Sequence, residues 1–179
     1  MAQGPGRGGG SLETRIALAV CVVLGGTLCG KAAADAARRR HRVLSVLSED
    51  LQTLRIHMTG MLQPVQCALE SAGCTLMKRV AEGMREGRSA SEAWQVVRPS
   101  VTRRGGPADA LAADDLMVLD ALFTQLGQSG REEQEALLDM TLETVSRLRD
   151  GALKKAGEAD RLYVSLGFLV GLMLALIVI

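Results

Sequence analysis

The feature that most limits what this chain can fold into is the run at residues 162–179, LYVSLGFLVGLMLALIVI, which carries no charged side chain. As an α-helix it rises about 27 Å, close to the thickness of a bilayer's hydrocarbon core. A helix of that length packed in a water-soluble core shows a polar face, and this one offers only Ser165. The run reads as a membrane anchor over residues 161–179, with the carboxylate of Ile179 as its far polar flank.

A second apolar stretch, IALAVCVVLGGTLCG, occupies residues 16–30. It reaches spanning length only if residues 31–34 are added and Lys31 snorkels to the headgroups. Arg7 and Arg15 before it, and small residues at 32–34 after it, also fit a cleaved signal peptide. Arg38, Arg39, Arg40 and Arg42 follow at once, however, and basic residues in that place are retained on the cytoplasmic side. An uncleaved anchor over 13–34 is therefore expected. Lys154, Lys155 and Arg161 precede the second anchor, so both anchors place the intervening chain in the cytoplasm and both termini outside. Residues 1–12 are Gly-rich and unpatterned, which predicts disorder, and no P-loop lysine follows their glycines.

The middle, residues 35–160, is predicted to be all α-helix. Hydrophobic residues make up 47% of the chain, yet Trp94, Phe123, Tyr163 and Phe168 are its only aromatics, which disfavours sheets and base-stacking platforms. From 31 to 161 the chain has 19 basic and 19 acidic residues, so it exerts no net pull on nucleic acid. Leu44, Leu47, Leu51, Leu54, Met58, Met61 and Val65 recur at alternating spacings of 3 and 4, a coiled-coil-like seam on a first helix running out of the membrane. Pro64 fits the first turn of a second helix, closed near Gly73. A third helix follows from about Cys74 to Arg85, with Leu76, Met77, Val80 and Met84 inward and Gly87 at its end. Ser89 or Ser91 caps a short fourth helix around Ala93, Trp94 and Val97, and residues 98–108 read as a loop with two prolines. Asp109 is expected to cap a fifth helix carrying Leu116, Leu119, Leu122, Phe123 and Leu126, closed by Gly127. Ser129 with Glu132 forms a capping-box pattern for a sixth, striped by Leu138, Leu142, Val145 and Leu148. The predicted architecture is a small bundle of about six helices flanked by N- and C-terminal transmembrane helices.

Reactive constellations are scarce, and the chain is not expected to be an enzyme or to take a metal, a cofactor, a small-molecule substrate or nucleic acid. Cys67 and Cys74 fit two small core residues in a reducing compartment better than a redox pair. His57 has no evident second ligand and reads as a polar boundary residue. Asp114 with Asp115, and Glu132 with Glu133, suit the positive ends of helix dipoles. The arginines at 38–42 set topology and meet anionic lipid. Gly26 with Gly30, and Gly167 with Gly171, give each anchor a GxxxG pair, a candidate site for close helix packing.

The run RLYVSLGFLVGL at 161–172 resembles the closing signature of the stage III sporulation protein AB family of endospore-forming bacteria. Residues 115–127 with Gln134, the LQTL run at 51–54 followed by Pro64 and Val65, and the central Trp94 are similar to further family motifs. Arg55, His57 and Gly60 stand where the family often has acidic or aromatic residues. The resemblance implies a place in the mother-cell membrane around the forespore, within a secretion-like channel assembly. It also implies a cytoplasmic domain similar to those of type II secretion and type IV pilus platform proteins, partnered by the family's AA ATPase and by other membrane subunits. Charged groups around Arg85, Glu86 and Arg88, and around Glu132 and Glu133, are candidate contacts. A two-pass signalling or regulatory protein is the alternative, with the seam transmitting a signal.

Overall fold

The computed structural model describes the backbone of residues 9–178 and the side chains of residues 31, 32, 34–158, 161, 162 and 165. The chain divides into two units, Ala36–Lys154 and the two ends Met1–Asp35 with Lys155–Ile179. Six α-helices form, with no strand among the described residues: α1 Gly9–Arg55, α2 Val65–Ser71, α3 Thr75–Arg85, α4 Ala90–Thr102, α5 Ala113–Gln125 and α6 Arg131–Val178. A π turn, Ile56–Gly60, follows α1. The all-α, six-helix expectation holds. Among the described residues no helix is long and apolar enough to cross a membrane. The apolar runs at 16–30 and 166–179 lie outside the described side chains; of the stretch 1–12 expected to be disordered, residues 1–8 lie outside the described backbone, while residues 9–12 are helical as the start of α1.

The seam on α1 is real but shorter than its spacing suggests. Leu44, Leu47, Leu51 and Leu54 are at most 4% exposed, whereas Met61 is 58% exposed. The π turn causes the departure. Met61 N–H donates to Ile56 O at 3.1 Å, closing a turn one residue wider than an α turn. Each added residue rotates the downstream chain by about 100°, so Met61 leaves the face that Leu54 occupies. Pro64 then stands immediately before α2 with φ −56° and ψ 146°, and Ala68 and Leu69 carry that helix into the core.

The α3–α4 hairpin packs most closely at Gly83. A Cβ there would lie 2.8 Å from Ala93 Cβ, so glycine is what permits the approach. Gly87, at φ 91°, ends the α3 side of the turn. Of the two candidate serines, Ser89 caps α4: its Oγ accepts from Glu92 N–H at 3.3 Å, and Glu92 Oε2 accepts from Ser89 N–H at 2.8 Å. That backbone donor holds the exposed Glu92 carboxyl below its usual range.

Three boundaries differ from the sequence expectation. Residues 98–102 are helical rather than loop, with Pro99 inside α4. An interior proline costs a helix about 3 kcal/mol, but the turn beyond it buries Val101 completely and lets Ser100 Oγ donate to Val97 O at 2.7 Å. Asp109 does not cap α5; its Oδ2 accepts from Gly105 N–H at 3.0 Å inside the preceding loop. Helix α5 starts after Ala112, whose N–H donates to Asp115 Oδ2 at 2.8 Å. The Ser129–Glu132 box is also not made. Gln134 closes that turn instead, accepting from Gly127 N–H at 3.0 Å and donating to Gln125 O at 3.0 Å and Ser129 Oγ at 2.7 Å. Gly127 sits at φ 79°, where a side chain would be strained.

The core of Ala36–Lys154 joins the α1 seam to Leu69, Met77, Val80, Leu119, Leu122, Leu138 and Val145. Trp94 stacks on Phe123 with ring centroids 4.9 Å apart, and its Nε1–H donates to Asp120 Oδ1 at 2.7 Å.

Candidate interaction surfaces

The arginine cluster of α1 separates into two populations. Arg38, Arg39 and Arg42 are exposed, while Arg40 turns into the unit and grips Asp115 with both arms of its guanidinium, Nε to Oδ2 and Nη2 to Oδ1, each at 2.7 Å. The Asp115 side chain is fully buried. Its hydrogen bonds to Arg40 raise that guanidinium's pKa and so favour the charged pair. Asp115 therefore does more than sit at a helix dipole: it caps α5 and ties it to α1 across 75 residues of sequence. Asp114 remains exposed.

The opposite end of this unit is built differently. Ala36 to Arg55 rises about 30 Å along α1, and at its far end the chain presents Ile56 (54% exposed), Met61 and Leu62 (66%) to solvent. Leu62 adopts φ 54°, the only non-glycine residue with positive φ among those described. Such backbone costs a branched apolar residue about 1–2 kcal/mol. Beside it a cleft of about 270 Å³ is lined by Met58, Leu62, Pro64, Val65 and Arg131. The α5–α6 turn closes its other side; Gly127 is so near that a Cβ would meet Val65 Cγ2 at 3.1 Å. The adjoining turns carry a net negative charge. Arg55 pairs with Glu135 at 2.8 Å and Asp139 at 2.6 Å, and Glu132 and Glu133 stand exposed beside Arg131. Two guanidinium groups thus stand with four carboxylates. His57 is half-buried and donates from Nδ1 to Gln63 Oε1 at 2.9 Å, a bond within the turn.

The other flagged residues do not converge. Cys67 is exposed on the outer face of α2, and Cys74 is half-buried against the core; both are free thiols. The expectation that both are core residues is corrected for Cys67, because α2 turns Ala68, Leu69 and Ala72 inward. Burial first, and then the neighbouring Asp50 carboxylate, push the Cys74 thiol up to about 12. Asp50 also accepts Gly73 N–H through Oδ1 at 2.8 Å. Arg85 pairs with Glu70 at 2.6 Å and Arg88 with Glu86, all on the surface. Among the described residues no three His, Cys, Asp or Glu side chains gather to hold a metal. Gly26, Gly30, Gly167 and Gly171 lie outside the described side chains.

Sequence reasoning missed the exposed trio at the far end. The signal was present: Ile56, Met58, Met61 and Leu62 crowd seven positions before Pro64, more apolar side chains than one helix face can bury. It also missed the inward role of Arg40, which looks like its neighbours in sequence.

Compared with known protein families, the chain matches the model described as Stage III sporulation protein AB over residues 15–179. No curated protein and no solved structure matches it.

Proposed function

Because the chain belongs to the stage III sporulation protein AB family, we propose that it is a noncatalytic platform subunit of a secretion-like channel between mother cell and forespore. In this reading residues 13–34 and 161–179 are two membrane anchors. The helical unit between them stands in the mother-cell cytoplasm, docks the AA ATPase and couples it to the other membrane subunits. The observation that carries the reading is the extent of the family match, which runs through both apolar ends as well as the bundle. The exposed Arg38, Arg39 and Arg42 suit anionic headgroups just beyond the first anchor. Two of the buried polar side chains, Asp115 and Gln134, serve the fold through caps and turn closure.

The test is purification from sporulating cells with identification of copurifying proteins, together with a topology reporter in the 103–109 loop. The expected result is recovery of the AA ATPase and a cytoplasmic reporter signal. Cleavage near Ala34, an extracytoplasmic signal, or a complex lacking the ATPase overturns the reading.

A further inference from the structure

We infer that the far end of the helical unit, centred on Ile56, Met61 and Leu62, is the face that docks the ATPase, and that it takes a segment presenting an apolar side chain flanked by basic residues. The inference rests on the platform reading above and adds to it a surface and a partner chemistry.

Four observations converge there. The three apolar side chains are each more than half exposed, and Leu62 lines a cleft of about 270 Å³ able to receive one apolar side chain. Clustered exposed apolar groups mark contact sites more often than scattered ones do. The backbone is irregular, with a π turn leading into Leu62 at φ 54°, so a strained main chain holds an apolar side chain in solvent. The position is the end of the unit about 30 Å of helix away from Ala36. On the adjoining turns Arg55 and Arg131 stand with Glu132, Glu133, Glu135 and Asp139 of α6, a net negative charge that favours positive charge on whatever binds.

The same charge balance weighs against the other occupants. An anionic lipid surface would be repelled by Glu132 and Glu133. A second copy docking end to end would bring the same net negative charge of α6 together. Apolar centre and polar rim are the ordinary anatomy of a protein interface.

The test uses the full chain in nanodiscs against the purified cognate AA ATPase, with binding followed by calorimetry and by association rates across salt. Leu62→Gly is the informative variant, because glycine takes φ 54° without strain and so removes the side chain while favouring the fold. It is expected to bind at least about tenfold more weakly, as loss of a central apolar contact does. Joint Glu132→Arg and Glu133→Arg should slow association and flatten its salt dependence. Val96→Ser, at an exposed position on α4 apart from this end, should leave binding unchanged. Trp94 fluorescence establishes that each variant is folded. If the wild-type chain does not bind the ATPase, the platform reading fails and takes this inference with it. If the wild type binds and the folded end variants bind within about twofold of it, the surface is wrong while the platform reading stands. Loss of self-association in the variants, with ATPase binding intact, makes the patch a homotypic interface and also overturns the inference.

Discussion

Replacing Asp115 by alanine removes three hydrogen bonds at once: two from Arg40 and one from Ala112 N–H. The carboxylate is fully buried and the Arg40 side chain is 17% exposed, so the guanidinium left behind has only partial access to water. Breaking a buried pair by deleting one partner costs about 3–5 kcal/mol, and loss of a helix cap about 1 kcal/mol. Water reaching Arg40 offsets part of this, so the net loss is expected at about 3–4 kcal/mol. For a unit of this size that corresponds to a fall in Tm of about 12–16 °C. Trp94 is the chain's single tryptophan and stacks on Phe123 of α5, the helix Asp115 caps, so guanidinium titration followed by its fluorescence reads the relevant unit in the intact protein. Arg40→Met should also destabilise strongly, and Arg40→Met with Asp115→Leu should recover about 2 kcal/mol relative to the sum of the single changes. Arg39→Met, at an exposed neighbour, should stay within about 0.5 kcal/mol of wild type. A loss below about 1 kcal/mol for Asp115→Ala, or equal effects of the two arginine changes, would refute the reasoning.

Gly83→Ala should destabilise by about 1–2 kcal/mol despite alanine's helix propensity, because its Cβ meets Ala93 Cβ at 2.8 Å; Ala93→Gly in the same chain should restore most of the loss in the same titration. At pH 8 a maleimide should label the exposed Cys67 quickly and Cys74 slowly, as peptide mapping by mass spectrometry would report. Because the folded pKa of Cys74 is raised from 9.0 to about 12, its contribution to stability is full below pH 9 and declines as pH rises toward 12. Cys74→Ala should therefore flatten the alkaline fall in the denaturation midpoint, and an unchanged slope counts against the shift. Gly171→Leu should leave membrane insertion intact and weaken copurification with partner membrane subunits; unaltered copurification would place Gly171 toward lipid.

Helix number and order are legible in the sequence because the breaks are chemically loud: Pro64, Gly87 and Gly127 each stand between the helices they are expected to separate. The capping box at Ser89 is legible for the same reason, being local. The features that escape sequence reading depend on partners far along the chain. Pro99 looks like a helix end until the burial of Val101 is known. Arg40 and Arg39 are indistinguishable until Asp115, 75 residues on, claims one of them. The seam's failure at Met61 follows from one extra residue in a turn, which spacing rules that assume regular helix cannot register. Met61 of the exposed trio is hidden for a related reason: it continues the spacing of 3 and 4 that signals burial even where too many apolar side chains compete for it.

The Gln134 clamp has a consequence for the order in which the unit assembles. Its three hydrogen bonds join groups 5 to 9 residues apart, so forming them closes very little chain. Arg40–Asp115 and Arg55–Glu135 must close 75 and 80 residues. Short closures cost the least chain entropy, so the expectation is that the α5–α6 turn forms early and the ties to α1 late, which φ-values at Gln134 and Arg40 would check. Damage to the clamp would then appear as slower folding, and damage to the Arg40 pair as faster unfolding. The two kinds of defect would leave different traces in a cell. A chain with a poor clamp lingers unfolded as it is made, whereas one lacking the pair folds on time and is lost afterwards.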